Sequence, residues 1–137
     1  MTPNLNNFKS NNTTTTNNMT RILLVDDEKD SVYVFALILR NEGHIVDAYS
    51  DPIKALSAFK PGYYDLIILD YRMAGLNGLG FIQKIRTLDK MAKAILVTAW
   101  EQRSIGSEVQ KCFIKVLGKP LSEEKLIKEV RLALNIV

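Results

Sequence analysis

The run "DLIILDYRMAGLNG" spans Asp65–Gly78. Leu66 to Leu69 are unbroken apolar residues, the texture of a strand covered on both faces. The apolar run stops at an acid, Asp70, and a loop follows. Asn77-Gly78 then opens a helical pattern with Phe81, Ile82, Ile85 and Leu88 on its inner face. A buried strand leading through a short loop into a helix is half of a βαβ unit.

The same texture recurs along the chain. "RILLV" (21–25) is a second buried strand. Val34, Phe35, Ile38 and Leu39 follow at helical spacing, and Gly43 stops that helix. "HIVDAY" (44–49) is a short strand. Asp51-Pro52 is an N-cap followed by proline in the first turn, with Ile53, Leu56 and Phe59 on the inner face. Pro61-Gly62 breaks that helix. "KAILV" (93–97) and "CFIKV" (112–116) are further strands, separated by a weak helix over 101–110 that contains Gly106. Ser122 caps a last helix, with Glu123 and Glu124 in its first turn and Leu126, Ile127, Val130 and Leu134 inward. Strand and helix alternate throughout. The pattern predicts an α/β fold: a doubly wound five-stranded parallel sheet with helices on both faces.

Composition bounds the rest. The 137 residues are 47% hydrophobic and 24% charged, with a net charge of +3, which suits one globular domain. No Lys/Arg run marks a nucleic-acid partner. No apolar stretch reaches the roughly 18 residues of a membrane span, and the N-terminus lacks a signal-peptide core. Cys112 is the single cysteine, so no internal disulfide forms; it reads as a small core residue in a protein of the reducing cytoplasm. Residues 1–19 are rich in Asn and Thr and read as a disordered tail, with the folded domain at 20–137. Met19 is an alternative start. Asn11, Asn12 and Asn18 head N-x-Thr triplets, which arise by chance in such a composition. His44, the lone histidine, lies on a polar turn and reads as a surface residue.

In open α/β sheets, ligands sit beyond the carboxyl ends of the strands, at the point where strand order switches. The residues just past the strands are Asp26, Asp27 and Glu28, then Asp70, Thr98 and Lys119. A strand order of 2-1-3-4-5 makes the first and third strands neighbours, so Asp26, Asp27 and Asp70 converge. Two unit charges 4 Å apart repel by about 4 kcal/mol at an effective dielectric near 20. A hard divalent cation such as Mg²⁺ suits this oxygen-only cluster. Lys119 adds a charge able to hold an anion, and Thr98 a hydroxyl.

Four segments, "ILLVDDE", "LDYRMAGLNG", "LVTAW" and "LGKP", each at a strand end, resemble the signatures of response-regulator receiver domains, the phosphorylated half of two-component signalling. The resemblance covers about Met19 to Val137 and implies the flavodoxin-like strand order. It implies that Asp70 accepts a phosphoryl group from a sensor histidine kinase or phosphotransfer protein. It implies that Asp27 binds Mg²⁺ directly, that Asp26 helps place the ion, and that the Arg72 backbone carbonyl completes the protein ligands. The resemblance further implies that Lys119 pairs with the phosphoryl oxygens and that Thr98 hydrogen-bonds one of them. A cis Lys119-Pro120 bond is implied as well. The domain then catalyses only its own phosphorylation and slow self-dephosphorylation. With no output module after Val137, it acts through a downstream protein or by onward phosphotransfer.

The chain departs from the family pattern at two places. Met73 is followed by Ala74 where the family usually shows proline. Val116 stands where an aromatic residue often swings inward on activation. Arg72 and Trp100 occupy positions that tune phosphoryl lifetime in the family. Three other functions compete: a degenerate receiver used as a phosphorylation-independent binding module, an aspartyl-phosphate phosphatase, and a flavin binder. The intact acids and lysine oppose the first. Tyr71 and Arg72 stand where the second needs a general acid, and acids at the switch point repel the phosphate of the third.

Overall fold

A computed structural model of the protein describes residues 19–99 and 105–136. In chain order come β1 (Arg21–Val25), α1 (Lys29–Asn41), β2 (Ile45–Tyr49), α2 (Pro52–Ala58) and β3 (Leu66–Asp70). Then follow α3 (Gly78–Leu88), β4 (Ala94–Thr98), α4 (Ser107–Gln110), β5 (Lys115–Gly118) and α5 (Glu123–Ala133). The five strands form one sheet in the order β2-β1-β3-β4-β5. Every neighbouring pair is parallel. This is the doubly wound, flavodoxin-like order expected from the sequence, and it sets β1 beside β3.

Alternation along the strands builds two cores. Ile22, Leu24, Ile68, Ile95, Val97 and Leu117 face α1 and α5, meeting Phe35, Leu39, Leu126 and Val130. Leu23, Val25, Ile67, Leu69, Leu96 and Val116 face the other way, onto Ala55 of α2, Phe81, Ile82 and Ile85 of α3, and Val109 of α4. Both faces of the sheet are therefore dry, which is why the strands read as unbroken apolar runs.

Local chemistry sets the helix starts. Asp51 Oδ1 accepts from the Ile53 N–H at 2.9 Å, Asn77 Oδ1 from the Gly80 N–H at 2.9 Å, and Ser122 Oγ from the Lys125 N–H at 3.1 Å. Each bond satisfies a donor that a helix start leaves open.

Several sequence expectations are corrected. The inward stripe of α1 is Val32, Phe35, Ala36 and Leu39, while Val34 is exposed. That set has the i, i+3, i+4, i+7 spacing of one helix face, and Val34 falls outside it. Ile53 and Leu88 are also exposed; Pro52 and Ala55 are the buried residues of α2. The fifth strand begins at Lys115 rather than Cys112, because its register is set by pairing Lys115 with Ile95 and Gly118 with Thr98. β3 includes Asp70, which pairs with Val97.

The helix expected over 101–110 is helical only at Ser107–Gln110 among its described residues, with Gly106 as N-cap. Trp100 and residues 101–104 lie outside the described residues, as do residues 1–18 of the expected tail and Val137. Cys112 is partly buried against the core. His44 is half-buried rather than on the surface. It is hydrogen-bonded through Nδ1 to Thr20 Oγ1, and burial holds its pKa below the usual value.

Candidate functional site

The carboxyl ends of β1, β3, β4 and β5 lie at one edge of the sheet. Asp26 continues β1, since its N–H donates to the Tyr49 carbonyl at 3.2 Å. Its side chain is buried. Oδ1 accepts from the Glu28 N–H at 3.0 Å, and Oδ2 takes a 2.7 Å hydrogen bond from Lys119 Nζ. Asp27, the next residue, is exposed. The N-cap of α1 is Glu28, so Asp27 is not used as a helix cap.

Asp70 ends β3 with its side chain nearly covered. Its Oδ1 accepts from the Tyr71 N–H at 2.8 Å. Gly78 lets α3 approach this strand end closely. Its N–H donates to the Tyr71 carbonyl at 2.7 Å. A Cβ there would lie 2.9 Å from the Asp70 carbonyl oxygen and 3.1 Å from Tyr71 Cα. The Gly at the end of the 65–78 stretch is thus what allows helix and acid to be neighbours.

Asp26, Asp27 and Asp70 each offer one carboxylate oxygen, and the three lie within 4.8 Å of one another. Among the described residues this is the one group of three or more His, Cys, Asp or Glu able to hold a metal. Lys119 Nζ sits 2.7 Å from Asp26, 3.6 Å from Asp70 and 3.7 Å from Glu28 Oε1. Lys119 is held by its backbone too, since its N–H donates to the Thr98 carbonyl at 2.8 Å. The Lys119-Pro120 bond is cis. Thr98 is buried at the end of β4, and Arg72 is exposed two residues past Asp70. Both stand at this edge without lining the cavity of about 770 Å³ that opens over Asp27, Asp70 and Lys119.

Burial and the neighbouring charges together set the titration of the site. Burial, then the Asp26 charge, pushes the Asp70 carboxyl up to about 6; Lys119 opposes this and Asp27 adds to it. Burial works against the Lys119 ammonium. The hydrogen bond and charge of Asp26, then Asp70 and Glu28, outweigh it and raise its pKa. Excess negative charge is the dominant feature, and oxygen donors in this arrangement fit a hard divalent cation.

Sequence reasoning placed Glu28 past the first strand and Phe35 on a helix face, but gave neither of them, nor Ser31, a role at the site; all three line the cavity. Ser31 Oγ donates to Glu28 Oε1 at 2.7 Å, a pair three residues apart in the first turn of α1. That spacing was visible in the sequence.

The sequence matches the response regulator receiver domain family over residues 22–131.

The chain belongs to that family.

Among the relatives of this receiver domain is the transcriptional regulatory protein YkoG of Bacillus subtilis. It is 34% identical over 117 residues, covering 83% of this chain and 50% of YkoG. Hybrid signal transduction histidine kinase B of Dictyostelium discoideum is 36% identical over 70 residues, 51% of this chain and 4% of the kinase. The crystal structure of the response regulator TrrA of Thermotoga maritima, in complex with Mg²⁺-BeF, superposes with a TM-score of 0.76 at 34% identity. That match covers 85% of this chain and 100% of TrrA. The receiver domain spans half or less of the length of the curated relatives it matches. Receiver domains of this family are signalling modules of two-component systems. No helix among the described residues is long and apolar enough to cross a membrane.

Proposed function

We propose that this receiver accepts a phosphoryl group on Asp70 from a phosphohistidine of a sensor histidine kinase or phosphotransfer protein. The observation that carries this reading is Asp70 itself. It is a nearly covered carboxylate with two acids and an ammonium around it, at the strand switch point of a receiver-family chain. The match to a hybrid histidine kinase supports the choice of donor.

In the transfer, an Asp70 carboxylate oxygen attacks phosphorus and an O–P bond forms. The P–N bond to the donor imidazole breaks, and the imidazole leaves with the bonding pair. Nucleophile and donor are both anionic, so the site must supply positive charge. Lys119 has a raised pKa and keeps its ammonium at neutral pH, 3.6 Å from Asp70. It can pair with phosphoryl oxygens as they arrive. Asp26, Asp27 and Asp70, with the backbone carbonyl of Arg72, would hold Mg²⁺. Bound there, the ion supplies charge that screens the same repulsion. The Mg²⁺-BeF bound by TrrA supports this assignment. The Thr98 hydroxyl would hydrogen-bond a phosphoryl oxygen and report the modified state. The output is phosphorylation-dependent binding of a protein target or onward phosphotransfer, in the cytoplasm.

The test is incubation with acetyl phosphate and Mg²⁺ followed by intact-mass measurement. One phosphoryl adduct is expected on the native chain and none on Asp70→Asn. An adduct of equal yield on Asp70→Asn would overturn the assignment.

A further inference from the structure

The Asp27 carboxylate reaches across to another loop. Its Oδ2 accepts from the Ala74 N–H at 3.1 Å, joining residues 47 apart in sequence. The donor sits in the β3–α3 loop, which is fixed at several points. Met73, just before it, is buried in the α2–α3 core layer. Gly75, just after it, turns the chain with φ +88°. The loop closes where the Gly78 N–H meets the Tyr71 carbonyl. An anchored residue on one side and a left-handed turn on the other present the Ala74 N–H in a set direction.

Asp27 is otherwise a solvent-exposed side chain beside two other acids, and left alone it would turn outward, away from them. We propose that the Ala74 N–H is a positioning donor for the divalent-cation site, holding Asp27 Oδ2 so that the carboxylate stays turned toward Asp26 and Asp70. This rests on the reading of that acid triad as a Mg²⁺ site. A hydrogen bond that orients a ligating carboxylate lowers the ordering cost of binding the ion. It also ties the β3–α3 loop to the cation, so occupancy of the site is felt at Ala74. The residue type matters here: any residue but proline supplies the N–H, and proline cannot.

Two measurements test this on the full chain. The first is Mg²⁺ titration by calorimetry of the native protein, Ala74→Pro and Ala74→Gly. Ala74→Pro removes the donor and should weaken Mg²⁺ binding about three- to tenfold. That is less than the 10- to 100-fold typical of outer-shell partners, because Asp27 is exposed. Ala74→Gly keeps the N–H and should stay within about twofold of native. The second is amide hydrogen exchange of native Ala74, which Mg²⁺ should slow. It needs no substitution and stands even where the proline variant folds poorly. Native affinity in Ala74→Pro, or Ala74 exchange unaffected by bound Mg²⁺, would overturn the proposal. A native protein that binds no Mg²⁺ at millimolar concentration would instead overturn the cation site itself.

Discussion

Lys119 Nζ lies 2.7 Å from Asp26 Oδ2 and donates a hydrogen bond to it, 93 residues away in sequence. Asp70 is farther from the same ammonium, at 3.6 Å. In this state Lys119 is chiefly the counter-ion of Asp26, and a phosphoryl group on Asp70 would compete for it.

Removing that counter-ion should therefore leave buried charge uncompensated. Lys119→Ala is expected to destabilise the metal-free protein by about 1–3 kcal/mol. Mg²⁺ should stabilise this variant more than it stabilises the native chain. Urea denaturation of both, in chelator and in Mg²⁺, measures the difference. A smaller Mg²⁺ gain in Lys119→Ala would contradict the charge balance described above.

Asp70 gives a pH signature. Its pKa in the folded state is raised to about 6 by burial and Asp26. A raised carboxyl contributes stability below its unfolded pKa, and that contribution is lost as pH rises through the folded value. Ionised Asp70 is thus a strain on the metal-free fold at neutral pH. Asp70→Asn should be more stable than the native chain by about 1–3 kcal/mol near pH 7.5 without metal. The gap should close toward pH 4. Thermal unfolding across that range is the measurement, and a less stable Asn variant at neutral pH would refute the sign.

Mg²⁺ should raise the unfolding temperature of the native chain in proportion to the logarithm of its concentration, by mass action on the folded state. Asp27→Ala should flatten that dependence. The chelator-treated proteins should differ little, because Asp27 is exposed.

Gly78→Ala places a methyl group 2.9 Å from the Asp70 carbonyl oxygen, where backbone must shift. A cost of about 1–3 kcal/mol is expected. Gly80→Ala is the matched control. Its added Cβ would lie 2.8 Å from Leu76 Cδ1, the end of a flexible side chain. Leu76 can turn aside, so the cost should be clearly smaller. Equal losses at the two glycines would show that close helix–strand approach is not what Gly78 provides.

The sequence by itself determined the alternation of strands and helices and the positions of three helix caps. It also determined the place of each acid at a strand end. These are local properties: an apolar run buried on both faces, a capping side chain, and an acid where the run stops. Tertiary structure decided the rest. Val34, Ile53 and Leu88 are as apolar as their buried neighbours, yet they are exposed. Apolar residues on more than one helix face leave the inward face open until the helix is laid on the sheet. The start of β5 at Lys115 was decided by pairing with β4. The partners of Lys119 and of Asp27 were likewise decided by the fold. A hydrogen bond between residues 93 or 47 apart depends on which strands lie side by side, and only the assembled sheet sets that distance.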